Sequence, residues 1–330
     1  MASPHPLSAS SLFSSLKGWV AVVTGGGTGV GLVIAQTLAV NGAKVYITGR
    51  RADVLETSAR LYGSPDRLGP QGGSIVPLVM DVTSKESIRK AVDEIAQKET
   101  CVNILVNNAG TWLGRTLARP TDGPEVFGKA MFDEEMEGNW QKTFHTNSTS
   151  IFFVTAAFLP LLAKSEASPT GKIGSVINNT SISGSLRMSQ NCQFSYNASK
   201  AAANHITRQM ALELSQDAIK VRVNGLALGY FPSELTVGPS NAENEIPPYD
   251  VEKFREGAAA MGARTVKRMG APEELASVIL TLATNDFLWG SIIPLDGGFS
   301  LTGTIILNES IKMAMTILID VTGMRCFYIE

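Results

Sequence analysis

The sequence is short of cysteine, of net charge and of long apolar runs. Its three cysteines, Cys101, Cys192 and Cys326, stand far apart in 330 residues. An odd, scattered set without metal-ligand spacing fits free thiols in a reducing compartment. The formal net charge of −2 leaves no electrostatic footprint for DNA, RNA or an anionic membrane. No stretch reaches the ~18 uncharged apolar residues of a membrane span. Residues 1–15 lack both the basic start and apolar core of a signal peptide and the arginines of a transit peptide. They read as a flexible N-terminal arm on a cytoplasmic protein. The glycine-rich turn described next is not closed by Gly-Lys-Ser/Thr, so it is not a Walker phosphate site.

What is present is a globular chain, 44% hydrophobic and 18% charged, long enough for one large α/β domain or two small ones. Residues 18–23 form a short apolar run suited to a strand buried on both faces. Thr24, Gly25, Thr28, Gly29, Val30 and Gly31 then make a glycine turn, and 32–39 continue at helical spacing. Gly25 permits the tight turn, Gly29 lets backbone approach a pyrophosphate, and Gly31 allows close helix packing. The helix N-terminus faces the phosphate charge, so strand, turn and helix together predict a dinucleotide site.

The second strand, 44–48, ends in Gly49, Arg50 and Arg51. A site for the cofactor lacking a 2′-phosphate usually carries an acid here. Two arginines instead predict a 2′-phosphate partner, although two surface arginines after a strand would look the same. The third strand, 75–80, ends in Asp81 and Val82, and a helix over 84–97 follows. The fourth strand, 102–106, runs into Asn107, Asn108, Ala109 and Gly110, which turn chemistry alone would also explain. Alternating strands and helices predict a doubly wound parallel sheet.

A breaker-free helix over 195–214 places Tyr196 and Lys200 at i and i+4 on one face. A neighbouring ammonium would favour the phenolate and make an acid or base usable closer to neutrality. The same spacing occurs by chance on many helices as a solvated pair.

Taken together, Thr24-Gly25-x-x-x-Gly29-x-Gly31, Asn107-Asn108-Ala109-Gly110, Asn147, a serine-bearing strand end and Tyr196-x-x-x-Lys200 resemble the short-chain dehydrogenase/reductase family, in order and approximate spacing. The resemblance runs from about residue 17 to 298 and includes Pro294-Leu295-Asp296-Gly297-Gly298. It implies a single Rossmann-type domain over 16–300 with a seven-stranded parallel sheet, and NAD(P)-dependent carbonyl/alcohol chemistry. By position it implies Tyr196 as acid or base, Lys200 as the residue that lowers its pKa and holds the nicotinamide ribose, and Asn147 as the anchor of a proton-relaying water.

The catalytic serine is Ser181 when counted from Gly184, and Ser183 when counted back from Tyr196. Ser181 is favoured because a strand end is rigid while loops absorb insertions. Leu228 replaces the family's usual proline before Gly229, which would loosen the next loop, and Ser233 replaces a threonine that contacts the nicotinamide amide. Residues 234–269 read as a lid over the substrate. Residues 301–330 lie beyond the pattern, as an added interface element or poorly packed sequence.

Gly49, Arg50 and Arg51 predict NADPH as the preferred cofactor and the cysteine spacing predicts no metal, while the resemblance implies a small carbonyl or alcohol substrate and a homodimer or homotetramer. The leading expectation is reduction of a ketone or 3-oxoacyl group. An NADP-dependent alcohol or polyol dehydrogenase and a non-catalytic NADP-binding sensor or scaffold remain as alternatives.

Overall fold

A computed structural model describes residues 5, 8, 15–134, 136–263 and 265–303. Most of the expected N-terminal arm, and residues 304–330 of the C-terminal extension, lie outside the described residues. The chain alternates β1 (Val20–Thr24), α1 (Gly29–Val40), β2 (Lys44–Gly49), α2 (Ala52–Tyr62), β3 (Ser74–Val79), α3 (Lys85–Lys98) and β4 (Ile104–Asn107). After α4 (Pro124–Phe132) come π-helical turns at Met136–Gln141 and His145–Thr149, and then α5 (Ser150–Leu162). The second half holds β5 (Gly174–Asn179), α6 (Phe194–Glu213), β6 (Val221–Leu228), α7 (Val251–Ala260), α8 (Pro272–Thr284) and β7 (Ile292–Leu295).

All seven strands pair in parallel in the order β3-β2-β1-β4-β5-β6-β7. Period-two alternation sends successive side chains to opposite faces. Ala21, Val23, Ile104 and Val106 therefore pack with Ile34 and Leu38 of α1 and Ile279 of α8. Val20, Val22 and Leu105 pack with Ile95 of α3, Phe158 of α5 and Met210 of α6. β1 and β4 are buried along their whole length, which is why they read as continuous apolar runs.

Strand order reverses between β1 and β4, so the loops that leave their C-terminal ends diverge and open a crevice there. Leu228 closes β6 as a buried residue paired with Leu295. Strand pairing thus reaches this position without a proline.

Candidate active site

The crevice is a cleft of about 800 Å³ that runs from the glycine turn past the ends of β2, β4 and β5 to α6. Gly25, Thr28, Gly29, Val30 and Gly31 line one wall. Gly25 sits at φ +62°, a left-handed conformation that glycine adopts without steric cost. A Cβ on Gly31 would overlap the Gly25 carbonyl oxygen and crowd Asn108 Nδ2. The turn therefore closes only with hydrogen at that position. Thr24 does not line the cleft: it is buried, and its Oγ1 accepts from the N–H groups of Asn108 (2.9 Å) and Ala109 (3.0 Å). Its work is to tie the β4 loop to the glycine turn. Asn108 Nδ2 returns the tie by donating to the Thr24 and Gly25 carbonyls at 2.9 and 3.1 Å.

At one end of the cleft stand Arg50, Arg51, Asp81 and Val82. Burial would raise the Asp81 pKa, but hydrogen bonds from Thr83 Oγ1 (2.7 Å) and N (2.9 Å), with the charges of Arg50 and His145, bring it below the usual value. Arg50 makes no hydrogen bond or ion pair among the described residues, whereas Arg51 forms a two-pronged contact with Glu234 at 2.8 and 3.3 Å. No sequence pattern announces that pairing.

At the other end Ser181, Tyr196 and Lys200 meet Gly110 and Asn179. Lys200 Nζ donates to the Asn179 carbonyl at 3.0 Å and is buried, so its pKa falls to about 8. Burial also pushes the Tyr196 phenol up to about 12, opposed by a hydrogen bond with Ser181 and reinforced by nearby Tyr230. The protein alone thus does not bring this phenol toward neutrality. The Lys200 ammonium lies 5.8 Å from the Tyr196 ring centroid, and desolvation dominates the shift.

The serine question separates in space. Ser181 Oγ lines the cleft and accepts from Ser183 N at 3.1 Å. Ser183 faces away, donating to Gln190 Oε1 at 2.6 Å. Asn147 lies in the π-helical turn His145–Thr149, a distortion that often marks functional positions. It is buried behind the cleft wall, where Oδ1 accepts from Thr111 N at 2.8 Å and Nδ2 donates to Thr111 O (2.9 Å) and Ser199 Oγ (3.0 Å). A Cβ on Gly110 would sit 3.4 Å from Asn147 Oδ1 and 3.8 Å from Lys200 Nζ, so the two groups bracket that glycine.

The segment expected as a lid divides. Asn244 Nδ2 donates to Val54 O (2.8 Å) and Ser58 Oγ (2.7 Å), and Tyr62 Oη donates to Glu243 O at 2.8 Å. This first half lies along α2, away from Tyr196. The second half, α7, packs through Ala258 and Phe254 on Ile182, Tyr230 and Phe299. Met188 joins that cluster, while Cys192 is buried and accepts at its carbonyl from Thr116 N. Neither lines the cleft, nor does Phe194. Lys142, His145, Thr146, Glu234 and Thr236 do line it, and sequence reading had singled out none of them for cofactor or chemistry.

The family model for short chain dehydrogenases matches residues 19–244. The chain belongs to the short-chain dehydrogenase/reductase family. Its members act as oxidoreductases on alcohol and carbonyl groups. One relative in this family, short-chain dehydrogenase/reductase PhomF of Diaporthe leptostromiformis, is 34% identical over 88% of this chain and 94% of its own. The rhamnolipids biosynthesis 3-oxoacyl-[acyl-carrier-protein] reductase of Pseudomonas aeruginosa is 32% identical over 88% and 99%. The solved Pseudomonas aeruginosa RhlG/NADP active-site complex superimposes with a TM-score of 0.66 at 30% identity, covering 87% of this chain and 98% of that one.

The cleft fits the dinucleotide that short-chain dehydrogenases/reductases bind. Gly25, Gly29 and the first residues of α1 line the cleft together, and Asn179 Oδ1 in the wall is buried with no hydrogen-bond partner among the described residues. That acceptor suits a ligand hydroxyl or amide N–H.

Proposed function

We propose that the protein is an NADPH-dependent reductase of a ketone or 3-oxoacyl-type carbonyl. The observation that carries this reading is the meeting of two hydroxyls, Ser181 and Tyr196, beside Lys200 in the cleft that opens on the glycine turn. NADPH, when bound, supplies the hydride. Ser181 holds the substrate oxygen, and Tyr196 gives that oxygen its proton as the carbon is reduced. A phenol raised to about 12 by burial is protonated at neutral pH, the form that gives a proton to the substrate oxygen in reduction. Lys200 restores the Tyr196 proton and holds the nicotinamide ribose. Asn147 Oδ1 has one lone pair left for a relaying water near Lys200. Thr24 shapes the turn, while Asn108, Ala109, Gly110, Gly229 and Ser233 complete the cofactor wall.

The 3-oxoacyl class draws support from the Pseudomonas aeruginosa reductase, and the choice of NADPH from Arg50 and Arg51 and from the NADP complex. Phe152 on α5 and Leu212 on α6 are exposed apolar side chains, in keeping with a homo-oligomer. Buried free Cys101 and Cys192 accord with a reducing, cytoplasmic setting. Among the described residues no helix is long and apolar enough to cross a membrane.

A panel of ketones, 3-oxoacyl thioesters and polyols, followed by NADPH absorbance, tests the reading. Turnover is expected with the 3-oxo compounds, and Tyr196→Phe should lose roughly 10²-fold or more of it while still binding NADPH. A Tyr196→Phe enzyme with comparable turnover would remove Tyr196 from the chemistry.

A further inference from the structure

The end of β2 lacks the acid that would hold a ribose 2′-hydroxyl, yet the fold delivers a carboxylate to the same corner from far along the chain. Glu234 lines the cleft with Arg51 and grips its guanidinium with both oxygens, Oε2 at 2.8 Å and Oε1 at 3.3 Å. Ser240 Oγ donates to Glu234 Oε1 at 2.7 Å and fixes the carboxylate. Residues 234–246 form a strap held on α2 at two levels. Arg51, the residue preceding α2, takes Glu234, and about one to three turns further on Val54, Ser58 and Tyr62 hold Asn244 and Glu243. Arg50 beside them, whose charge acts on Asp81, makes no hydrogen bond or ion pair among the described residues. The corner thus presents one ready guanidinium and one that is already spent.

A carboxylate and a phosphate compete for the same planar fork of donors. A 2′-phosphate that approaches Arg51 meets Glu234 as a rival for the guanidinium. We propose that Glu234 is a latch on Arg51 that must release the guanidinium to the cofactor's 2′-phosphate, so that Glu234 sets how strongly the phosphorylated cofactor is preferred. This rests on the reading of the β2 end as a 2′-phosphate site. Arg50 makes the first contact, and Arg51 adds its own at the cost of the Glu234 pair.

Isothermal titration of the full chain with 2′,5′-ADP and with 5′-AMP tests this without turnover. Glu234→Gln keeps the shape and removes the charge. It is expected to tighten 2′,5′-ADP about fivefold, the upper range for an exposed ion pair, to leave 5′-AMP unchanged, and to have no such effect when Arg51 is also replaced by Ala. A change in 2′,5′-ADP affinity below about twofold, or a gain that persists in the Arg51→Ala background, overturns the latch while the 2′-phosphate site stands. Wild-type protein that binds 2′,5′-ADP no more tightly than 5′-AMP overturns the 2′-phosphate site itself, and the latch with it.

Discussion

Lys200 works against the fold that contains it. Its ammonium is buried with one hydrogen bond, to the Asn179 carbonyl, and burial lowers its pKa from 10.5 to about 8. Between these values the unfolded chain holds a proton that the folded chain releases, so stability rises with pH across that window. Lys200→Met should therefore abolish turnover yet raise Tm at pH 7, by on the order of 1–3 kcal/mol of stability, with the gain shrinking by about pH 10. A variant less stable than wild type at pH 7 would show that the buried charge is better compensated than one hydrogen bond allows. The two serines separate at the same scale. Ser181→Ala should cut turnover severely and Ser183→Ala mildly, because only Ser181 faces the cleft. The reverse order in steady-state kinetics would transfer the substrate contact to Ser183.

At the scale of elements, β6 and α8 are joined by a fully buried arginine. The Arg222 guanidinium donates to Leu282 O (3.0 Å), Ala283 O (2.7 Å) and Leu288 O (3.4 Å), with Asp286 at 3.5 Å from Nε. It thereby satisfies carbonyls that the C-terminus of α8 leaves open. Arg222→Met should lower stability by roughly 1–3 kcal/mol, the cost of leaving buried carbonyls without their donor, seen as a lower urea midpoint at unchanged slope. A midpoint within error of wild type would mean that water replaces the guanidinium. The strands of this sheet were legible because each is an apolar run closed by a turn signal. Ser84, expected to start a helix, does accept from Ser87 N as the cap of α3. The π-helical turns around Asn147 were not legible, because a single-turn π-bulge is set by which carbonyl each N–H reaches and no residue type announces it.

Across the whole molecule, legibility followed sequence separation. Motifs that act within one strand, turn and helix, such as Gly25 to Gly31 or Tyr196 to Lys200, carry their geometry locally. The Arg51–Glu234 pair spans 183 positions, and the division of the lid depends on where Asn244 meets α2, which no local pattern encodes. The burial that holds Tyr196 at about 12 is likewise a product of the assembled cleft rather than of the helix. The account's central claim joins that cleft to NADPH. It is tested most directly by kcat/KM for NADPH and NADH with one accepted substrate, in wild type and in Arg50→Ala. The account predicts a wild-type preference for NADPH of roughly tenfold or more, as one charge-assisted phosphate contact supplies, and a narrower ratio in Arg50→Ala. Equal use of the two cofactors by the wild-type enzyme would contradict it.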